Sequence, residues 1–374
     1  MDVSPFLAFL TFIFWLGLLL LPWCPWATTE SLDALPPTDE DLSDVTALVP
    51  ARDEFGLIQL TLQALAKQGR NHQIILIDDQ SDDGTPESAR ALELPNLKIV
   101  TGQPLVPNWT GKLWALEQGR QHVQTPLTLL LDADIALEPR ILGTLRAKMK
   151  TEGLQLVSLM AHLQMAGFWE KLLMPAFVYF FKLIYPFSLS NRPNVRWVAA
   201  AAGGCILIES RVLQEIGGFG VIKDTLIDDC ALARAVKSRG GKTWIGLTHS
   251  AVSVRPYRSL NTIWHMVERT AFTQLGYSFT LLALCTLVMT LAFLMPVAGL
   301  WVSSFWSVFF SGTALFMMMF SYGPTLRYYE LSGAWSLALP LVGLLYLAMT
   351  WTSAVQFLLG KRSSWKGRIY SKQE

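Results

Sequence analysis

Three long stretches of this 374-residue chain carry no formal charge at all, and they decide what it can fold into. Asp, Glu, Lys and Arg are absent from Val3 to Thr29, from Thr270 to Leu326, and from Leu331 to Gly360. Each run exceeds the ~20 apolar residues that cross a bilayer as a helix. Charged residues make up 16% of the chain, against roughly 25% in a typical soluble domain. A simple cytosolic enzyme, a disordered chain and a small disulfide scaffold are all excluded. The first apolar run, Phe6 to Leu21, lacks the basic flank of a cleaved signal peptide and reads as a retained anchor. The later block predicts three spans, near Phe279–Leu300, Phe305–Tyr322 and Trp335–Leu359. Pro296 with Gly299 marks the first turn, and Gly323-Pro324 with Arg327 and Glu330 the second.

The expected organisation is therefore an anchor over 1–27, an acidic Pro-containing linker over 28–44, an enzyme-like domain over 45–276, a membrane block over 277–360 and a basic tail over 361–374. Asp2 outside and a basic enzyme domain inside would suit the positive-inside rule, and the basic tail (Lys361, Arg362, Lys366, Arg368, Lys372) also prefers the cytoplasm. Three spans after the domain would instead carry the tail to the other side, a tension that one re-entrant segment would remove. Residues 168–189 (FWEKLLMPAFVYFFKLIYPFSL) hold Pro175 and Pro186 and read as a Pro-broken helix lying in the membrane interface, with an internal core helix as the alternative. Net charge is +1, so nothing here offers nucleic acid a basic face. Cys24, Cys205, Cys230 and Cys285 show no metal or redox spacing and read as unpaired thiols.

The segment 45–276 alternates strand and helix. Val45–Pro50, Ile74–Asp78, Leu97–Thr101 and Leu127–Asp132 are aliphatic runs, separated by helical stretches at Leu57–Lys67, Pro86–Leu94 and Lys112–His122. Continuously aliphatic strands are buried on both faces, which predicts an α/β domain with a parallel sheet covered by helices. Ligands bind beyond the carboxyl ends of such strands. There the sequence places Arg52-Asp53-Glu54, Asp78-Asp79 and Asp132-Ala133-Asp134, so three acidic clusters should face one crevice.

Each cluster has a chemistry and a plainer reading. Asp132 and Asp134, one residue apart on a turn, can address one hard divalent cation, Mg²⁺ or Mn²⁺, which would hold a diphosphate leaving group; a solvated turn is the alternative. In Asp78-Asp79-Gln80-Ser81-Asp82-Asp83-Gly84-Thr85, Asp78 and Asp79 suit a ligand, while Asp82 and Asp83 suit turn and cap architecture. Asp228-Asp229 opens a helical run, where one acid can be a general base or the pair can simply complement the helix dipole. Lys112 at a helix start suits a phosphate, without the spacing of a P-loop. Arg269 at the edge of the membrane block suits a lipid headgroup or a diphosphate. His249 is a candidate third metal ligand, or a solvated histidine. Gly203-Gly204 falls in an Ala-rich strand expected over Val198–Ile208 and allows close ligand approach.

The order Val49-Pro50-Ala51-Arg52-Asp53-Glu54, Asp78-Asp79 to Gly84-Thr85, Asp132-Ala133-Asp134, Gly217-Gly218-Phe219 and Asp228-Asp229 resembles the family 2 inverting glycosyltransferases of GT-A fold, over about Val45 to Tyr277. Within them the chain is similar to the membrane-bound glycosyltransferases associated with hopanoid biosynthesis, through Asn108-Trp109-Thr110-Gly111-Lys112-Leu113-Trp114, Leu226-Ile227-Asp228-Asp229-Cys230, Arg269-Thr270-Ala271-Phe272 and Trp365-Lys366-Gly367-Arg368-Ile369-Tyr370. The resemblance implies a Rossmann-like nucleotide-sugar-binding domain plus transmembrane helices. It implies a nucleotide-sugar donor, a UDP-sugar in the first place, held by Asp53, Asp78, Asp79, Lys112, Asp132 and Arg269. It implies a metal at Asp132 and Asp134 and catalysis at Asp228-Asp229, with Asp229 the base. The apolar stretch Phe168–Leu189 and the membrane block point to a lipid acceptor delivered laterally from the bilayer, and the expected location is the inner membrane with the domain facing the cytoplasm. Arg269 matches the Arg of the family's Gln-x-x-Arg-Trp motif, but Met266 and Thr270 replace its Gln and Trp, which favours a single transfer over a polymerase. A polyprenyl-phosphate glycosyltransferase and an inactive glycosyltransferase-like scaffold stay open here. A channel would need charged groups inside the spans, which the membrane block lacks.

Overall fold

The computed structural model describes residues 5–35, 40–360, 364–365 and 368–369. Asp2, residues 36–39 of the expected linker, and Lys361, Arg362, Lys366, Gly367, Tyr370 and Lys372 lie outside the described residues. The strands are β1 Val45–Ala51, β2 Gln73–Asp78, β3 Leu97–Thr101, β4 Leu127–Leu131, β5 Ile135–Leu137, β6 Leu156–His162, β7 Cys205–Glu209 and β8 Thr243–Ser253. The helices are α1 Pro5–Leu20, α2 Ile58–Ala66, α3 Thr85–Arg90, α4 Gly111–Arg120, α5 Ile141–Glu152, α6 Phe168–Ile184, α7 Phe187–Ser190, α8 Ser210–Glu215, α9 Asp228–Ser238, α10 Leu260–Gln274, α11 Phe279–Met289, α12 Met295–Gly299, α13 Phe305–Tyr328 and α14 Leu339–Leu358. These group into two units: a sheet unit of residues 30–164 and 189–256, and a helical unit of residues 5–29, 165–188 and 257–360.

In the sheet unit the eight strands run in the order β3-β2-β1-β4-β7-β6-β8-β5. Strands β3, β2, β1 and β4 are mutually parallel. The sheet then departs from the all-parallel expectation, because β7 lies antiparallel to both β4 and β6, and β5 antiparallel to β8. An aliphatic run reports burial on two faces but not chain direction, so the sequence could not show the reversal. The expected strand Val198–Ile208 is also corrected: residues 198–204 are loop, and the strand begins at Cys205.

Alternation along the strands divides the core. Val45, Ala47, Val49, Ile74, Leu76, Leu129, Leu131 and Leu207 face a cluster that includes α2 and α5. Leu48, Ile75, Ile77, Leu130, Ile206 and Ile208 face a cluster that includes α4, α9 and the 3₁₀ turn Gly218–Ile222. Period-two alternation thus fixes which helices cover which face. The reversal of β7 has a consequence for function. Its first residue, Cys205, pairs with the last of β4, Leu131, so the glycines before β7 arrive beside the acids after β4.

In the helical unit, Phe279–Gly299, Phe305–Tyr328 and Gly333–Leu358 are long and apolar enough to cross a membrane. The first of these contains a π-helical turn at Thr290–Leu294. The indole Nε1 of Trp15, fully buried on α1, donates to the Ala292 carbonyl in that turn at 2.9 Å. Two expected breaks are absent. Helix α13 runs through Gly323-Pro324 to Tyr328, and α6 runs through Pro175, with the chain turning only at Tyr185-Pro186. A proline removes a single backbone bond, and an apolar helix packed on its neighbours tolerates that loss as a local distortion. Helix α6 is held inside this unit: Tyr179 Oη meets Ser321 Oγ at 2.7 Å, and Tyr346 Oη donates to the Leu173 carbonyl at 2.8 Å. The buried Lys182 ammonium donates to the Ala27 carbonyl and to Thr325 Oγ1. All four cysteines are free thiols.

Candidate active site

The parallel strands β1, β2 and β4 bring their acidic ends to one edge of the sheet, where two clusters form. The first joins the ends of β1 and β2. Asp83 accepts from the Phe55 and Thr85 N–H groups at 2.9 and 3.0 Å and from Thr85 Oγ1 at 2.5 Å, which ties the two turns together and opens α3. Its carboxyl is held below the usual range because these bonds outweigh burial. Asp53, in the left-handed region at φ 51°, accepts from the Asp82 N–H at 3.1 Å. Asp78 accepts from the Ser81 N–H at 3.3 Å, and burial pushes its carboxyl up. The fully buried Asp79 lies 3.9 Å from Arg52, which also donates to the Asp79 and Gln80 carbonyls. Of the expected division, Asp78 and Asp79 for a ligand and Asp82 and Asp83 for architecture, Asp83 holds the turn before α3, and Asp78 and Asp79 are buried.

The second cluster gathers around Lys112. Thr110 caps α4 by accepting from the Leu113 N–H, and this sets Lys112 in the first turn. Its Nζ lies 2.7 Å from Asp132 Oδ1 after β4 and 3.5 Å from Asp228 Oδ2 at the start of α9. Asp229 Oδ2 accepts from the Gly203 N–H at 2.8 Å, and Oδ1 from its neighbour Cys230 at 2.7 Å. A Cβ built on Gly203 would lie 3.3 Å from Lys112 Nζ and 3.4 Å from Asp229 Oδ2, so only glycine leaves this approach open. Lys112, Asp132, Gly203, Asp228 and Asp229 line one pocket, floored by Pro50, Leu116 and Leu130.

The electrostatics follow from this crowding. Burial pushes the Asp229 carboxyl up to about 7, and the Asp228 charge adds to that, against the Cys230 and Gly203 N–H bonds and Lys112. Asp132 is raised by burial and by Asp134, with Lys112 opposing. Lys112 is raised, because Asp132 and Asp228 outweigh the burial of its own charge.

Arg255, just past β8, was not singled out by the sequence reasoning. Its Nε lies 2.6 Å from Asp134 Oδ2 and its Nη2 2.5 Å from Glu54 Oε1. The β8 sequence TWIGLTHSAVS is broken by polar residues, so the aliphatic-run signal that marked the acids does not extend to Arg255. Glu117 was also missed: it accepts from the Phe219 N–H at 3.0 Å and so fixes Gly218, whose φ of 64° calls for glycine. His249 pairs with Asp33 at 3.1 Å on β8 rather than with the acids after β4. Arg269 is exposed on α10 and belongs to the helical unit, whereas the other candidate residues belong to the sheet unit.

Asp132 and Asp134 supply the carboxylate oxygens that Mg²⁺ or Mn²⁺ prefers. Each already has one oxygen on a basic side chain, and no group of three or more His, Cys, Asp or Glu residues with metal-holding geometry occurs among the described residues. The set fits a cation that takes one or two carboxylates and completes its shell from phosphate oxygens, the usual habit of Mg²⁺.

A mixed sheet with helices on both faces and acids gathered at one strand edge defines the sheet unit as a GT-A-type glycosyltransferase domain, joined in the chain to three apolar helices of spanning length. The chain belongs to the family described as glycosyltransferase like family 2, whose model matches residues 43–273. Among solved structures it is similar to a mannosyltransferase from Pyrobaculum calidifontis, determined with GDP-Man and Mn²⁺, at 18% identity, TM-score 0.58, and coverage of 96% of this chain and 99% of that one. A stretch of 98 residues is 29% identical to the 4,4'-diaponeurosporenoate glycosyltransferase of Staphylococcus haemolyticus (strain JCSC1435), covering 26% of each chain. Another of 114 residues is 29% identical to the undecaprenyl-phosphate 4-deoxy-4-formamido-L-arabinose transferase of Shewanella sediminis (strain HAW-EB3), covering 29% of this chain and 34% of that one. The chain thus matches about a quarter to a third of the length of these two relatives.

Proposed function

We propose that this glycosyltransferase moves a sugar from a nucleotide-sugar donor onto the hydroxyl of a lipid acceptor, with inversion and in a single transfer. The observation that carries this reading is the pocket itself: one lysine and three carboxylates, from α4, the turn after β4, and α9, meet at an opening that Gly203 also lines. Asp229 holds and accepts the acceptor proton as the oxygen attacks the anomeric carbon. The Gly203 and Cys230 N–H groups orient its two oxygens, and Asp228 keeps its basicity high. Lys112 stands ready to leave Asp132 for the negative charge that develops on the departing diphosphate. Asp53, Asp78 and Asp79 would line the nucleotide side. Asp132 and Asp134 would hold Mg²⁺ or Mn²⁺, which supplies charge neutralisation to the leaving group. A UDP-sugar is the first donor to try, Arg269 is retained as a donor-side candidate, and hopanoid-type lipids are among the acceptors to screen. The three apolar helices support membrane residence, and placement in the inner membrane with the sheet unit on the cytoplasmic face completes the proposal.

The relative from Shewanella sediminis, whose name includes undecaprenyl phosphate, favours a second acceptor class. A polyprenyl phosphate is already ionised near neutral pH and attacks without a base. One variant separates the two. With a hydroxyl acceptor, Asp229→Asn should lower transfer by about 10²–10⁴-fold and leave binding of the nucleoside diphosphate intact. With a phosphate acceptor the loss would be slight. The assay follows label from a panel of nucleotide sugars into the organic phase, and full activity of Asp229→Asn on a hydroxyl lipid would refute the base.

A further inference from the structure

Helix α9 carries a lysine that the proposed reaction does not use. Lys237 is 1% exposed, and its ammonium donates to three main-chain carbonyls: Ser190 at 2.5 Å, Val195 at 2.8 Å and Val198 at 2.8 Å. A buried ammonium is tolerated when all its protons find acceptors, and these three serve. Asn191 fixes the same segment on β8, donating to the Ile245 carbonyl at 3.0 Å and accepting from the Ile245 N–H at 2.8 Å. Ser190 Oγ accepts from the Ala200 N–H at 2.9 Å. The stem of the loop is pinned from three directions.

The tip is the reverse. Arg192, Pro193, Asn194 and Arg196 are exposed, and Trp197 is 77% exposed. Neither guanidinium has a hydrogen-bonding or ion-pair partner among the described residues. Ordering a loop costs conformational entropy, and an indole left in water returns nothing to the fold. We propose that residues 192–197 form a contact for anionic phospholipid headgroups, with Arg192 and Arg196 on phosphate oxygens and Trp197 seated at headgroup depth.

The chemistry and the chain path both favour this occupant. The guanidinium fork matches phosphate oxygens, and tryptophan concentrates where a bilayer meets water. Residue 188 closes a segment of the helical unit, which holds the three membrane-length helices. Arg192 follows four residues later, at most about 14 Å of extended chain. In the other direction the same loop runs on to Gly203, whose N–H holds Asp229. The contact stands whether or not the pocket transfers sugar; where it does, this loop joins the headgroup layer to the base.

The test uses the full chain in nanodiscs of phosphatidylcholine with phosphatidylglycerol. A photoreactive benzoylphenylalanine replaces Trp197, or as a control the exposed Arg211 on α8, and adducts are identified by mass spectrometry. Phosphatidylglycerol adducts should form from position 197 and not from 211. Arg192→Glu with Arg196→Glu should lower the total yield of lipid adducts at least about fivefold, and so should replacing phosphatidylglycerol with uncharged lipid, an arm that leaves the loop charges untouched. Absence of lipid adducts at 197, equal yield in uncharged discs, or adducts to protein instead would each overturn the proposal. Loss of the lipid adduct on adding inorganic phosphate would also overturn it, by giving the two cations to a soluble phosphate ligand.

Discussion

Two carboxylate clusters share one edge of the sheet, and they are compensated in different currencies. Around β1 and β2, Asp53, Asp78 and Asp83 take backbone N–H groups of the same turns. After β4, Asp132 and Asp134 are matched by the side-chain cations Lys112 and Arg255, while Asp229 on α9 is held, like the turn acids, by backbone N–H groups. A backbone N–H cannot leave its place without refolding the turn. A lysine or arginine side chain can swing to a new anion. The acids held by backbone therefore shape the pocket, and Asp132 and Asp134 can exchange partners when a diphosphate arrives.

The strongest way to break this contrast is Lys112→Met. If Lys112 serves the leaving group, kcat should fall by about 10²-fold or more, more than any change in donor KM. A variant that only melts earlier, with kcat intact, would reduce the lysine to a structural counter-charge.

Next in size is the response to pH. The base must be ionised to act, so kcat/KM on a hydroxyl acceptor should rise with pH through about 7. Asp228→Asn removes the neighbouring charge and should move that inflection downward. Stability runs the other way. A carboxyl whose folded pKa is raised keeps a proton that the unfolded chain releases, so Asp229 contributes stability that is lost as pH climbs from about 4 to about 7. Asp229→Asn should flatten that part of the Tm–pH profile, and an unchanged slope would count against the assignment.

The first cluster gives the opposite pattern. Asp83→Ala frees two backbone N–H groups and a hydroxyl and should cost about 1–2 kcal/mol of stability, read by denaturant unfolding, while kcat of the folded protein stays within about threefold. A large loss of kcat at unchanged stability would erase the distinction. The mildest test is Gly203→Ala, whose added methyl would press on Lys112 Nζ at 3.3 Å and touch Asp229 Oδ2 at 3.4 Å, so that the flexible lysine end must give way slightly. It should lower kcat several-fold through misplacement of the base and leave Tm nearly unchanged.

Legibility in the sequence tracked the range of the interaction. Local patterns were readable: aliphatic strands ending in acid, Asp83-Gly84 opening a helix, Lys112 in a first turn. Taking strand ends as one edge brought Asp53, Asp78 and Asp132 together, whereas Lys112 and Asp228, both at helix starts, were tied to that edge only through the family resemblance. Pairings set by distant chain were not readable. Nothing local to Cys205–Glu209 says that it runs against β4, and so nothing placed Gly203 beside Asp229. Arg255 could be recognised only with β8 in the sheet, and Lys237 only with the 190–198 loop folded over it. Gly323-Pro324 misled in the other direction, since a breaker in an isolated helix is tolerated in one packed among neighbours.

The widened turn at Thr290–Leu294 bears on how the leading segment may be altered. Its Ala292 carbonyl accepts from the Trp15 indole, so the N-terminal helix supplies a specific hydrogen bond as well as hydrophobic bulk. A fusion that swapped α1 for an unrelated hydrophobic leader would insert just as well, yet lose that bond. Restoring tryptophan at one register of the substitute, and at no other, should recover the yield of folded protein.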